Sequence, residues 1–313
     1  MSETRRLVTR SDFDGLACAM MLKELDLVDE IKFVHPKDVQ DGIIELSKND
    51  ITTNLPYDPR VSIAFDHHES EVDRLKANEI ETNGKLIIDP NARSAARVVY
   101  DYYGGKKSFP RISDDLMEAV DKGDSADFTV DEILHPKGWV LLHYLMDART
   151  GLGRFHDFRI SNYALMMELI DYCLEHDIDE ILELPDVQER VKLYFEQSEL
   201  FEAQLKRIAK VYDKVVVLDL RNEEVIYAGN RFMIYALYPE TRVSIHVAWG
   251  FRKQNTAVMI GKSIVNKGAA VDIGELCLKY GGGGHHNAGT CQLDNDTVDQ
   301  QLPDIIAAIN AES

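Results

Sequence analysis

The stretch Val61-Ser62-Ile63-Ala64-Phe65-Asp66-His67-His68 decides which fold class we expect for this chain. Its first five residues are small or apolar and predict a strand, which a carboxylate and two imidazoles follow directly. Open α/β folds bind their ligands at the carboxyl edge of the sheet. The triplet that ends this stretch therefore brings three metal-ligand groups to one such edge.

Short apolar runs alternate with helical stretches along the first third of the chain. We predict a helix at 16–25 and another at 92–103, and mostly helical structure from about 112 to 185. The predicted strands are 7–9, 31–34, 51–53, 61–65 and 86–88. This alternation predicts α/β architecture, with a mostly parallel sheet flanked by helices.

The pattern changes in the second half. Residues 187–212 have the apolar spacing of a long amphipathic helix, which we interpret as a connector, with a core helix of the first domain as the alternative. The next elements are predicted strands at 215–218, 242–248 and 256–260 and a helix at 273–280. The expected organisation is a domain at 1–185, a connector helix at 186–212 and a smaller α/β domain at 213–313.

Composition limits the class of protein. A length of 313 residues suggests two domains, and no apolar run approaches the roughly 20 residues that span a bilayer. The first residues lack the apolar core of a secretory signal. Four scattered cysteines (Cys18, Cys173, Cys277 and Cys291) suit reduced thiols, so we expect a cytoplasmic protein. A net charge of −19 argues against binding to duplex nucleic acid, because that binding depends on basic residues.

Carboxylates near the start of the chain complete a candidate metal site. Asp12 and Asp14 follow the first predicted strand and point the same way, because alternate residues of an extended segment do so. Together with Asp66 and His67 they suit Mn²⁺ or Mg²⁺. Asp124 adds a carboxylate in a predicted loop. A turn or a helix cap is the alternative explanation for these aspartates.

The run Gly281-Gly282-Gly283-Gly284-His285-His286 predicts a phosphate-binding loop, because its amides are accessible and its backbone can approach a ligand closely. A merely flexible loop is the alternative. Basic residues that could contact a phosphate are Arg93, Arg97, Arg149, Arg154, Arg159 and Lys262. For each of them individually, a surface charge is the alternative explanation.

These residues resemble the DHH phosphoesterase family, which is named for the triplet seen here as Asp66-His67-His68. The chain is similar to the subgroup with a DHH-associated C-terminal domain, whose GGGH motif matches Gly282-Gly283-Gly284-His285. The resemblance covers about 1–185 and 213–313. It implies an active site in the cleft between the two domains.

The family resemblance also implies roles for individual residues. Manganese ions would be bound by a set of five side chains: Asp12, Asp14, Asp66, His67 and Asp124. Asp121 is a reserve candidate for the last of these. His68 would be a ligand or a substrate contact and, with Asp14, part of the catalytic machinery. Substrate would be bound by Arg93, Arg149, Arg154, Lys262, Gly282, Gly283, Gly284 and His285.

Three positions depart from the family pattern. Val8 stands where many members have a metal-binding histidine, and Asn54 is the best match to the aspartate of the second motif. The glycine motif is one residue shorter than usual after its histidine. We therefore expect one or two Mn²⁺ ions per chain, with Mg²⁺ as an alternative ion.

The expected function is that of a phosphoesterase that hydrolyses small nucleotides or short single-stranded oligonucleotides by means of a metal-activated water. An exopolyphosphatase-like hydrolase is one alternative. A catalytically impaired nucleotide-binding protein is the other. We expect neither a membrane nor duplex nucleic acid as a partner, and a homodimer is left open.

Overall fold

Five short strands of the N-terminal half form one parallel sheet in the computed structural model, which describes residues 4–312. The strands are β1 (Arg6–Arg10), β2 (Glu30–Val34), β3 (Asp50–Thr53), β4 (Ile63–Asp66) and β5 (Leu86–Ile88). They are ordered β2-β1-β3-β4-β5, and every neighbouring pair is parallel. The predicted parallel sheet is thus confirmed.

Helices connect these strands and follow them along the chain. They are α1 (Phe13–Glu24), α2 (Pro36–Gln40), α3 (Glu69–Ala77), α4 (Ala95–Tyr102), α5 (Asp114–Ser125), α6 (Val130–Leu134), α7 (Gly138–Met146), α8 (Asn162–Glu175) and α9 (Ile178–Glu183). Helix α1 is buried along most of its length, from Phe13 to Leu22. Its small and apolar residues therefore serve as core, and its first turn is held firmly at the end of β1.

The long amphipathic segment forms helix α10 (Pro185–Ile208), which ends four residues before the predicted boundary at 212. The next residues form strand β6 (Ala209–Tyr212), which pairs antiparallel with β7 (Val215–Asp219). Apolar spacing favoured helix as far as Tyr212. Pairing with a neighbouring strand outweighs that local preference, because the backbone N–H and C=O groups of the segment form hydrogen bonds with β7.

The C-terminal elements form a mixed sheet with three helices. Beyond β7 they are α11 (Met233–Leu237), β8 (Val243–Trp249), β9 (Thr256–Lys262), α12 (Ile273–Lys279), β10 (Gly283–His285), β11 (Ala288–Leu293) and α13 (Val298–Ala311). The strand order is β10-β11-β9-β8-β7-β6, in which only β7 and β8 are parallel. Valines and isoleucines of β7, β8 and β9 pack with α12 and α13 into one core.

The chain divides into two compact units, and short segments of the second unit interrupt the first unit in sequence. The first contains the residues up to Asp127, Lys137–Ala148 and Gly153–Val191. The second contains Phe128–Pro136, Arg149–Leu152 and the residues from Lys192 onward. Among the described helices, none combines the length and the apolar character needed to cross a membrane.

Candidate functional site

Asp14 lies in the first turn of α1 and is only 3% exposed. Its Oδ1 accepts a hydrogen bond from the backbone N–H of Ala96 (2.7 Å), and its Oδ2 accepts one from that of Ala95 (3.1 Å). The Asn54 side-chain amide donates a third, to Oδ2, at 2.7 Å. The donors Ala95 and Ala96 begin α4, so one helix terminus fixes the orientation of a carboxylate on another helix.

The triplet lies at the carboxyl end of β4, whose last residue is Asp66, and its three side chains differ in their surroundings. Asp66 is buried, and its Oδ1 accepts the backbone N–H of His67 (2.8 Å) and lies 2.7 Å from His68 Nδ1. His67 Nδ1 lies 3.1 Å from the carbonyl oxygen of Ala92. Because a carbonyl only accepts, the His67 proton is on Nδ1, and Nε2 is the atom available to a metal.

Asp124 lies in the last turn of α5, whereas the sequence predicted a loop at this position. The helix continues because Asp114 and Asp115 favour its first turn and Ala126, in a left-handed conformation (φ 53°), ends it. Asp124 Oδ2 lies 2.7 Å from His67 Nε2. The fourth carboxylate of the predicted metal site therefore reaches the triplet from the end of a helix.

Asp121, the reserve candidate, has a structural environment instead. Its Oδ1 accepts a hydrogen bond from the Ser94 hydroxyl (2.7 Å), and its Oδ2 pairs with the Arg97 guanidinium at 2.6 Å. Ser94 also caps the N-terminus of α4. Asp121 thus stabilises the start of α4, and Arg97, a candidate phosphate contact, is engaged in the same ion pair.

The electrostatics of the site indicate a place for a cation. Burial, followed by the charges of Asp124 and Asp12, raises the pKa of Asp14 well above its ordinary value. Burial lowers the pKa of His67, but the hydrogen bond and charge of Asp124 outweigh it and raise that pKa to about 9. Burial raises the pKa of Asp124, but the hydrogen bond and the charge of His67 lower it by more. The pKa of Asp124 therefore lies below its ordinary value. In the metal-free protein a protonated imidazole offsets buried carboxylates, as a divalent ion would.

One group of side chains has the donor set of a metal site. Ligand atoms of Asp14, His67 and Asp124 all lie within 4.8 Å of one another. The amide oxygen of Asn54, a residue that is 3% exposed, has no hydrogen-bond partner, although the nitrogen of the same amide contacts Asp14. Two carboxylates, an imidazole and an unsatisfied amide oxygen suit Mn²⁺ or Mg²⁺. These residues fit the ion that the family resemblance implies.

Two further predicted ligands lie outside this group. Asp12 caps α1, because its Oδ1 accepts the backbone N–H of Gly15 at 2.9 Å, and its Oδ2 lies 2.8 Å from Arg10 Nε. The Asp66 carboxylate accepts hydrogen bonds from the backbone N–H groups of His67 and His68 and contacts the His68 ring. His68 keeps 42% of its side chain exposed, which leaves its Nε2 accessible to a substrate.

The glycine motif forms part of a hairpin and not an open loop, since Gly283–His285 pairs with Ala288–Thr290. A Cβ on Gly282 would lie 2.2 Å from the Thr290 carbonyl oxygen, and one on Gly284 would lie 2.3 Å from that of Ala288. Close backbone approach within the hairpin therefore explains two of the glycines.

Lys262, a predicted substrate contact, lies at this hairpin. Its Nζ is 2.8 Å from His286 Nε2, and His286 Nδ1 is 3.0 Å from Asp272. His285 is exposed at the end of β10. Sequence reasoning missed the pairing of His286 with Asp272, because the two are separated by 14 residues and Asp272 lies outside the glycine-rich run.

The predicted arginines are dispersed. Arg93 donates to Asp127 (2.9 Å) and to the Ser125 hydroxyl (3.2 Å), at the end of the helix that carries Asp124. Arg149 belongs to the second unit and Arg154 to the first, each in a short 3₁₀ turn. The structure therefore brings Arg93 close to the metal-site segments and does not gather these arginines into one cluster of the first unit.

Comparisons with known proteins agree with this geometry. The structure of PggH, a pGpG-specific phosphodiesterase from Vibrio cholerae, is 55% identical to this chain, with a TM-score of 0.89 and coverage of 99% of this chain and 100% of that one. No protein-family model matches the chain, and no curated protein matches it either.

Two more distant structures share the fold. An exopolyphosphatase-related protein from Bacteroides fragilis is 15% identical, with a TM-score of 0.52 and coverage of 98% of this chain and 94% of that one. CDC45 from Entamoeba histolytica is 8% identical, with a TM-score of 0.53 and coverage of 98% and 95%. At such identities these two structures inform only about the fold. The triplet after β4, the two-unit architecture and the full-length likeness to PggH show that the chain belongs to the DHH family of phosphoesterases.

Proposed function

We propose that this protein is a divalent-metal-dependent phosphodiesterase that hydrolyses the linear dinucleotide pGpG, or close relatives of it, to mononucleotides. The observation that carries the proposal is the group formed by Asp14, His67 and Asp124 in a chain that is 55% identical over its whole length to a pGpG-specific phosphodiesterase. Water adds across the internal phosphodiester bond, so pGpG and one water yield two molecules of GMP.

Asp14, His67 and Asp124 would hold the ion, and the amide oxygen of Asn54 is in reach of the same place. We propose Mn²⁺ as the preferred ion and Mg²⁺ as the substitute. A bound divalent ion would polarise a phosphoryl oxygen and lower the pKa of a water molecule. The Ala95 and Ala96 N–H groups keep the carboxylate of Asp14 fixed while the ion and substrate exchange.

His68 is suited to contact the substrate. Its Nδ1 lies 2.7 Å from Asp66 Oδ1, so that nitrogen carries the proton and Nε2 is the free position on an exposed ring. Such an imidazole can bind a phosphoryl oxygen when protonated or receive a proton when neutral. Asp66 would orient it, as a carboxylate orients the base in other hydrolytic sites.

The glycine hairpin would bind the phosphate or terminal nucleotide of the substrate. Gly282, Gly283 and Gly284 would let a ligand approach the backbone closely, although the Gly282 N–H already donates to the Cys277 carbonyl oxygen (2.9 Å). His285 and Lys262 add polar side chains beside them. We assign Arg93, Arg149 and Arg154 the same class of role as supplementary phosphate contacts. Each is a charged donor of the kind that favours phosphate.

The proposed partners and location follow from the charge and the substrate. A net charge of −19 suits a small anionic substrate at a metal-bearing site better than duplex nucleic acid or an anionic membrane surface. We propose a cytoplasmic protein that acts on pGpG or short single-stranded oligonucleotides, with a homodimer as an open question for solution measurements.

A direct test compares mononucleotide release from pGpG, a pentanucleotide, a cyclic dinucleotide, 3′-phosphoadenosine 5′-phosphate and short polyphosphate, with Mn²⁺ or with chelator. We expect chelator-sensitive hydrolysis of pGpG in preference to the others. Asp124→Asn should abolish it. Glu118→Gln is the matched control, because it makes the same carboxylate-to-amide change on α5 at a side chain that is 62% exposed and pairs with Lys122.

The outcomes separate the candidate functions. Phosphate release from polyphosphate alone would make the protein an exopolyphosphatase-like hydrolase. Tight binding of pGpG without turnover of any compound, at saturating Mn²⁺, would make it a nucleotide-binding protein. Activity that survives in chelator or in Asp124→Asn would refute the metal-dependent mechanism.

A further inference from the structure

Arg10 lies beside the metal-binding residues and is the last residue of β1. Its Nε is 2.8 Å from Asp12 Oδ2, and its side chain is 32% exposed. An arginine remains charged at every pH at which a protein is folded. We infer that the guanidinium of Arg10 takes the place of a second metal ion, so that the active site holds one divalent ion per chain.

The surroundings of Asp12 carry the first part of the argument. One oxygen of its carboxylate caps α1 through Gly15 and the other pairs with Arg10, so both oxygens are engaged. A divalent ion at Asp12 would have to displace Arg10 or lie against its positive charge. Like charges at this separation repel strongly in a partly buried site.

Two of the ligands that the family resemblance gives to a second ion are replaced in this chain by Val8 and Asn54. Val8, two residues before Arg10 on the same face of β1, is fully buried in an apolar cluster with Val34, Leu46 and Leu55. Asn54 offers a neutral amide and not a bridging carboxylate. Within residues 4–312, the group of Asp14, His67 and Asp124 is the one set of three such side chains close enough to hold an ion.

Arg10 also compensates negative charge beside the metal site. Asp12, Asp14, Asp66 and Asp124 carry four negative charges when ionised, of which the Arg10 guanidinium and one divalent ion would neutralise three. The Arg10 Nε contacts Asp12, and its remaining N–H groups can donate to a phosphoryl oxygen.

This inference rests on the proposed metal centre, and metal stoichiometry tests the two separately. The wild-type chain is dialysed against Mn²⁺, bound manganese is measured by elemental analysis, and the electron paramagnetic resonance spectrum is recorded without substrate. We expect one ion per chain and the spectrum of an isolated Mn²⁺. Two ions, or a spin-coupled spectrum, would overturn the inference and leave the proposed function intact. Absence of bound ion would overturn both.

A pair of double variants tests the role of Arg10 itself. Arg10→Gln combined with Asn54→Asp removes the cation and adds a carboxylate, and we expect bound manganese to rise from one ion per chain to two. Arg10→Lys combined with Asn54→Asp keeps a cation and should stay at one. Circular dichroism verifies the fold of each. A folded glutamine variant that still binds one ion would refute the claim that Arg10 excludes the second, and wild-type stoichiometry decides the case if that variant does not fold.

Discussion

Asn54→Asp is expected to destabilise the metal-free protein and to make Mn²⁺ more stabilising. The Asn54 amide donates to Asp14 Oδ2 at 2.7 Å in a buried site. The substitution replaces this donor with a carboxylate oxygen. Asn54 has a left-handed backbone (φ 55°), which aspartate also tolerates, so the backbone contributes little to the difference.

The size of the effect follows from the contact. Losing a hydrogen bond to a charged group costs about 1.5–3 kcal/mol. Two carboxylates about 4 Å apart repel by about 4 kcal/mol at an effective dielectric constant of 20. The introduced group can instead take up a proton, which at pH 7 limits the cost to about 4 kcal/mol, because each pKa unit above its ordinary value is worth about 1.4 kcal/mol. We expect a loss of about 3–4 kcal/mol at pH 7 in chelator.

The pH dependence has a definite sign. The pKa of the introduced carboxyl is raised in the folded state, so the variant is close to wild type below its ordinary pKa, near pH 4. It loses stability progressively as the pH rises toward 7. Saturating Mn²⁺ should reverse much of the loss, because a divalent ion neutralises the added charge and binds the folded state.

Urea denaturation in a Trp249→Phe background provides the assay. Trp139 is then the one tryptophan left, and it is buried in the first unit, which contains Asn54. Asn54→Gly is the control, because it removes the hydrogen bond and tolerates the left-handed backbone without adding a charge. The reasoning is refuted if Asn54→Asp matches Asn54→Gly in chelator at pH 7 and gains no additional stability from Mn²⁺.

Three further predictions concern other parts of the chain. Burial lowers the pKa of His246 to about 4, so stability is lost as the pH falls from 6.5 to 4, and His246→Gln should reduce that loss by up to about 3 kcal/mol in urea denaturation; an unchanged pH slope would contradict this. Gly284→Ala should disrupt the hairpin and raise KM for pGpG. Gly283→Ala, with no atom other than its chain neighbours within 4 Å of the added Cβ, should leave the hairpin intact and raise KM less; equal losses of hairpin stability would exclude the steric explanation. Arg97→Gln should lower the free energy of unfolding, measured by urea denaturation, by about 2–3 kcal/mol, because it leaves Asp121 buried without its ion pair. This loss is smaller than for a fully buried pair, since the Arg97 side chain is 29% exposed. A loss below about 1 kcal/mol would contradict the prediction.

The first sheet was predictable because its central strands β1, β3 and β4 are largely buried and most of its strands appear in sequence as short apolar runs. Strand β6 was not, since the residues from Ala209 to Tyr212 continue a helical spacing and become a strand only through pairing with β7. The hairpin of Gly283–His285 escaped prediction for a similar reason. Glycine carries little preference for strand, and the pairing with β11 arises from contacts that only the folded chain makes.

For the candidate site, spacing identified the aspartates and histidines but not which of them converge. Asp121 and Asp124 are three residues apart on one helix, and the sequence offers both as ligands. Their environments separate them, because Arg97 neutralises Asp121 while Asp124 faces His67. Asp12 shows the reverse case. Its position in the motif predicted a ligand, and only the structure reveals that Arg10 pairs with it.

The structural ion pair and the metal site are connected through one helix terminus. Asp121 binds Ser94 and Arg97 at the start of α4, and the next two residues of that helix donate their N–H groups to Asp14. Asp121, which lies outside the proposed metal group, thus orients the start of α4, and that helix end orients Asp14, a proposed ligand. Because the N–H groups of a helix terminus point along the helix axis, a small tilt of α4 would move both donors away from Asp14 together. The buried pair of Asp121 and Arg97 therefore contributes more than stability, since it fixes the direction of the carboxylate that the proposed metal site requires.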